Sequence, residues 1–208
     1  MPRKPLSRAQ SKMESDGIVR MHEVLKDPEH PEFQFYRDTW DHIVQVQNNI
    51  SEVMDNLSVR RSVHDRSKLS LPERKGFMQM AEELKLADTE YGSDEYRAIL
   101  RKYKDSTIGH HYAANDHHAE HFNSGYADMN LLQKLEMLAD WYAATKRMKN
   151  GDLRTSIIKN AGRFGYDSVE IFVLINTARE LGWITNGAGV SDVLDTDAGT
   201  AEPGPESE

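Results

Sequence analysis

The chain has 208 residues, a formal net charge of −8 and no cysteine. That length suits one domain with a buried core, and the acidic balance argues against a general nucleic-acid-binding surface. Disulfides, thiolate catalysis and cysteine-based zinc motifs are excluded, and no segment reaches the roughly 20 apolar residues of a bilayer span; a soluble, cytoplasmic protein is the default expectation.

Residues 1–14 read as a flexible, basic lead without the apolar run of a secretory signal. A short helix is expected over about 16–26, with Pro28 and Pro31 forcing a turn after it. Over about 37–60, Trp40, Ile43, Val46, Ile50, Val53, Met54 and Leu57 recur at three- and four-residue steps, the pattern of a long amphipathic helix. His42 stands on the shoulder of that apolar face. Ser70-Leu71-Pro72-Glu73 has the form of a capping box with proline in the first turn, predicting a helix from there to about Leu86. Ser93-Asp94 opens another, carrying Tyr96, Ile99, Leu100 and Tyr103. After a break at Gly125 the strongest helix is expected over about 128–149, a shorter one over 153–161, and a last one capped by Asp167 and ending near Gly182. Nothing alternates at period two for long enough to suggest a sheet. The expected fold is all-α, a single helical bundle over 15–186. Residues 187–208 are small, acidic or Pro/Gly-rich, and are expected to form a disordered acidic tail.

Five of the nine histidines fall within residues 109–123. If that stretch is helical, His110 and His117, and likewise His111 and His118, return to one face after two turns. Clustered imidazoles suit a transition-metal site, provided that other segments supply further ligands; a polar helix that is merely histidine-rich is the bland alternative. On the helix after Gly125, Glu136, Asp140 and Arg147 share a narrow stripe flanked by apolar residues. A carboxylate in such surroundings needs a partner, either an arginine in a surface pair or a cation. His64-Asp65, close to Arg60, Arg61, Arg66 and Lys68, adds a third segment. Donors from facing helices, nitrogen and oxygen mixed, are what a metal site inside a helical bundle requires.

The order His … His-Asp … His … His-His … Asp resembles the HD-domain metal-dependent phosphohydrolase superfamily, and His64-Asp65-Arg66-Ser67-Lys68 has the His-Asp-x-x-Lys spacing of its HD-GYP branch. Ala127, after Gly125-Tyr126, departs from that branch, so its cyclic-dinucleotide activity is not assigned. A closer resemblance is to an uncharacterised phage and bacterial family catalogued as a domain of unknown function. It rests on residues 64–68, 111–121 and 136–143, and on Ser156, Asn160, Arg163-Phe164 and Asn176-Thr177, with Ala119 replacing the family's usual proline.

These resemblances imply an HD-like fold and metal-assisted hydrolysis of a nucleotide or other small phosphoester, with no general nucleic-acid or membrane partner. The implied ligands are His42, His64, Asp65, His111, His117, His118 and Asp140, holding one or two divalent ions among Mn, Fe, Zn, Co or Ni. Asp65, Lys68 and Glu120 are the expected catalytic residues, with Arg147, Asn115 and Arg66 on the substrate. A di-iron oxygenase of HD type and a non-enzymatic, metal-stabilised regulatory protein are the competing expectations. Neither Glu-x-x-His nor His-Glu-x-x-His occurs, which sets aside ferritin-like di-iron and zincin chemistry.

Overall fold

The computed structural model describes residues 7–88, 93–147 and 151–185. Among them it has eight α-helices: α1 (Arg8–Val24), α2 (Phe33–Val63), α3 (Glu73–Leu86), α4 (Asp94–Lys102), α5 (Gly109–Ala114), α6 (Leu131–Thr145), α7 (Leu153–Phe164) and α8 (Ser168–Glu180). Short 3-10 turns lie at Arg66–Leu69, Ala119–His121 and Gly125–Asp128, with a π turn at Lys104–Ile108, and there is no strand among the described residues. The all-α expectation therefore holds. No described helix is long and apolar enough to cross a membrane.

Side-chain caps set most helix starts. Ser7 with Gln10, and Asn130 with Gln133, form reciprocal capping boxes, while Ser93, Asp152 and Asp167 each accept a bond from a backbone N–H in the first turn. The Ser7 box starts α1 at Arg8, so the lead expected to be flexible over 1–14 is helical from there. Residues 1–6 and the predicted tail at 187–208 lie outside the described residues. Asn130, not Asp128, begins α6.

The capping box predicted at Ser70 does not form. Its hydroxyl donates instead to the Ser67 carbonyl, α3 begins only at Glu73, and the Glu73 side chain turns inward, fully buried. Gly76, one turn on, permits this placement. A Cβ there would meet the Thr107 side chain, with Thr107 Cβ only 2.8 Å away, so glycine lets α3 press against the turn that leads into α5.

The core lies between α6, α7, α8 and the turns at 119–129. Leu138, Ile157, Ile175 and Ala178 are completely enclosed, with Tyr126, Met129, Leu153 and Tyr166 around them. The Tyr166 hydroxyl donates to the Ile157 carbonyl, so its polar end is satisfied inside. Gly165, at φ 71°, closes α7 in the left-handed conformation that glycine adopts without steric cost. By contrast, α2 buries none of its 31 residues. Only its C-terminal end is built into the domain, against α6; α1 folds back beside its start, joined by the Arg20–Glu32 pair at 3.0 Å.

Candidate metal centre

Arg60 fixes the end of α2. Its guanidinium grips Asp116 with two bonds, 2.9 and 2.6 Å, and reaches Glu136 Oε2 on α6 at 2.6 Å. Two bonds to one carboxylate define an orientation as well as a distance. After His64 the chain must reverse, and Asp65 does so with φ 56°, a left-handed conformation that aspartate tolerates better than most side chains. Its carboxylate is thereby aimed back at the histidines.

Two carboxylates, Glu73 fully buried and Glu136 partly so, anchor those histidines. Glu73 Oε2 lies 2.9 Å from His111 Nδ1 and 2.8 Å from the Ser67 hydroxyl, while Oε1 lies 2.8 Å from His110 Nδ1. Glu136 Oε1 lies 2.8 Å from His64 Nδ1 and 3.3 Å from His117 Nδ1. An ionised carboxylate only accepts, so the Nδ1 atoms carry the protons and each Nε2 is turned the other way. Three of the four, all but His110, converge on Asp65. His111 Nε2 is 3.3 Å and His117 Nε2 3.5 Å from Asp65 Oδ1, and His64 Nε2 is 3.7 Å from both Asp65 Oδ2 and Asp140 Oδ1. His118 Nε2 completes the group, 3.0 Å from His111 Nε2.

Electrostatics follow from this wiring. Burial would raise the Asp65 carboxyl, but His111 and Lys68, the latter at 2.6 Å, outweigh it and hold it well below the usual carboxylate range. Glu136 is lowered in the same way by His117, His64 and Arg60, and Glu73 by His110, Ser67 and His111, in each case against burial. Burial, then the neighbouring His117 and His111, push the His118 imidazole down to about 3, which keeps its lone pair free at neutral pH. Asp140 and Glu136 raise His64 to about 10.

Three groups of donors stand close enough to hold a cation: Asp65 with His111, His117 and His118; His64 with Asp65 and Asp140; and His64 with His117 and Glu136. The third is better read as anchoring, because Glu136 meets the Nδ1 side of both rings and already pairs with Arg60. The first fits a metal well. Its Asp65 Oδ1 and His117 Nε2 are buried without a hydrogen-bond partner, a costly state that a cation would relieve. Imidazoles backed by carboxylates are also the usual construction of transition-metal sites.

The expected residues thus divide. His64, Asp65, His111, His117, His118 and Asp140 come together, with Lys68 on Asp65. His42 does not join them. It is exposed on α2, 22 residues before His64 on one unbroken helix and so about 33 Å away along the axis. Arg147 is exposed beyond the end of α6, and Arg66 is exposed on its turn without a bond to the cluster. The Asn115 amide is used internally, donating to Ser67 Oγ and to the His111 carbonyl, both at 2.8 Å, so it braces the turn rather than offering itself to a substrate. Glu120 pairs with Arg163 and stands at the cavity wall, not among the donors.

The histidine stretch is not one helix either. It leaves α5 at Ala114, extends through Asn115, and returns His117 and His118 to His111 by a turn. Sequence reasoning missed Glu73, taken for a capping residue, and Asp116, and it left Glu136 out of the site although it shares the stripe of Asp140. Glu136 could have been found from that stripe; nothing local marks Glu73.

Beside His118 and Asp140 opens a cavity of about 630 Å³, whose far wall is the polar face of α7, with Thr155, Ser156, Lys159 and Asn160. It shares Arg97 and Arg163 with a second cavity that Arg101 and Lys104 also line. Arg97, Lys159 and Arg163 line the first cavity together with Glu120, Asp140 and Asp152, and Arg101 and Lys104 the second beside Asp105; Arg163 pairs with Glu120 and Arg97 with Asp94.

A family of unknown function, DUF5662, matches residues 31–179, more than two-thirds of the chain. The chain belongs to that family. No curated protein and no solved structure matches it. The DUF5662 match takes in every donor of the cluster, both anchoring glutamates and the polar face of α7.

Proposed function

We propose that the protein is a metal-dependent phosphohydrolase of HD-like type acting on a small phosphorylated substrate, a nucleotide being the plainest candidate. The observation that carries this reading is the convergence of two carboxylate-anchored imidazoles, His111 and His117, on one unpartnered Asp65 oxygen, with His64 on the other oxygen and a cavity holding Lys159 alongside. Asp65, His111, His117 and His118 would hold the first ion, and His64 and Asp140, sharing Asp65, a second. A divalent ion bound there supplies a Lewis acid for the phosphoryl oxygen and a water acidified towards neutrality.

The chain's own groups supply the rest. Lys159 carries no hydrogen bond or ion pair among the described residues and is available to a phosphate on the α7 wall, with Arg163 and Arg97 adding positive charge around the cavity. Lys68 stays on Asp65 and fixes its carboxylate rather than reaching the substrate. Glu73 and Glu136 keep the rings oriented so that their Nε2 atoms stay on the donor side. Compared with the HD-type set, this site keeps His-Asp and the later aspartate, takes its other imidazoles from the 111–118 turn as expected, and lacks His42.

Metal analysis of the purified protein beside Asp65→Ala, followed by a panel of nucleotides and phosphomonoesters assayed with the loaded protein, tests the reading. One or two equivalents of metal, lost in the variant, together with metal-dependent phosphate release are expected. A fully loaded protein that releases no phosphate from any of them refutes hydrolysis, and iron with an optical band would then favour oxygen chemistry.

A further inference from the structure

The amphipathic stripe of α2 has no role in the centre. Tyr36, Trp40, Ile43, Gln47, Ile50, Met54 and Leu57 alternate steps of four and three residues, a mean spacing of 3.5. That spacing is the seam of a left-handed coiled coil, whereas a helix lying on a globular core follows 3.6. Within the described chain α1 packs beside the start of α2 and α6 against its end, while along the stripe Trp40, Ile43, Val46, Ile50, Val53 and Met54 keep between 37 and 64% of their surface exposed.

At its C-terminal end the stripe runs into an apolar groove of about 500 Å³, formed by Leu57 with Leu135, Ala139, Ala143, Leu181 and Trp183. We propose that this face is a homodimer interface in which α2 of a second copy packs antiparallel on α2, centred between Gln47 and Ile50. In that register Ile43 faces Met54, and Trp40 of each copy faces Leu57 of the other and enters its groove. An indole filling a desolvated apolar pocket is the usual anchor of an interface, and two-fold symmetry supplies it twice.

The antiparallel sense follows from charge and bulk. A parallel pair would set Arg61 against Arg61 and bring both helical domains to one end; the antiparallel pair places them at opposite ends. The paired helices run about 33 Å, and with two filled grooves the contact reaches on the order of 1,000 Å², the size that a specific interface attains. The groove is also bordered by His64 and Asp140, so the second copy's arm forms one wall beside the candidate centre.

Sedimentation equilibrium of the full chain tests this. A species of twice 23.8 kDa is expected, and Trp40→Asp should weaken it by roughly thirtyfold or more. Gln47→Leu, which removes the one polar residue in the seam before Arg61, should tighten it. The chain has no cysteine, so single-cysteine variants report the register directly. Ile43→Cys mixed with Met54→Cys should give a mixed disulfide, and Met54→Cys alone none with itself. A monomer at tens of micromolar, a dimer indifferent to both Trp40→Asp and Gln47→Leu, or a self-linked Met54→Cys would each overturn the proposal; a monomer would leave the groove to be covered from within the same chain.

Discussion

Glu73 shows how much one side chain can organise. It touches no exposed surface, yet it accepts from His110, His111 and Ser67 together. Glu73→Gln keeps its shape but turns one acceptor oxygen into a donor, so at least one of these three bonds must fail. Cation affinity of the His111 group, measured by isothermal titration with zinc or manganese, is expected to fall about 10- to 100-fold with the fold retained. His42→Ala, by contrast, should leave affinity unchanged, because 22 helical residues separate it from His64. A large loss from His42→Ala together with none from Glu73→Gln would reverse the assignment.

Among the elements, α3 depends on one close approach. With Thr107 buried against Gly76, Gly76→Ala forces two packed segments apart. Overpacking of this kind costs about 1–3 kcal/mol, which would lower the urea midpoint without changing the slope. The same displacement moves Glu73, one turn earlier, away from His110 and His111, so cation affinity should fall in parallel. Unchanged affinity in a destabilised variant would show that the start of α3 holds its place independently of Gly76. The broken histidine helix carries a related lesson. Asn115, in an extended conformation, ends α5, and that break brings His117 and His118 back to His111.

For the molecule as a whole, the cluster makes stability depend on pH in both directions when no metal is bound. His118 titrates near 3 when folded against an ordinary value of 6.5, so the unfolded chain binds its proton first and stability falls as pH drops from about 6.5 towards 3. Asp116, held low chiefly by Arg60, acts in the same sense once the pH falls below about 4. His64 acts oppositely. Its folded value of about 10 gives stability that is complete below 6.5 and is lost as pH rises towards 10. Unfolding free energies measured in urea from about pH 4 to about pH 10 should therefore trace a dome with its maximum near neutrality. Asp140→Asn, which removes the largest influence on His64, should flatten the alkaline side. An unchanged alkaline decline would show that His64 is not the group responsible.

Sequence alone determined the all-α class, most of the helices and the core of the site. Apolar residues at helical spacing have one way to be buried, and His64-Asp65, the histidine stretch and Asp140 are the residue types that a cation needs. The Asp167 cap was legible because its partner, the Glu170 N–H, lies three residues on; the equally local Asn130 box was passed over for a start at Asp128. Tertiary structure decided what depended on distant segments. It removed His42, because a helix continuous to Val63 carries that side chain away from the cluster. It added Glu73, whose local context reads equally well as a helix start, and it made Arg60 the clamp between Asp116 and Glu136. Periodicity reports which face of an element is apolar; which buried carboxylate meets which imidazole is settled only when helices from four parts of the chain pack together.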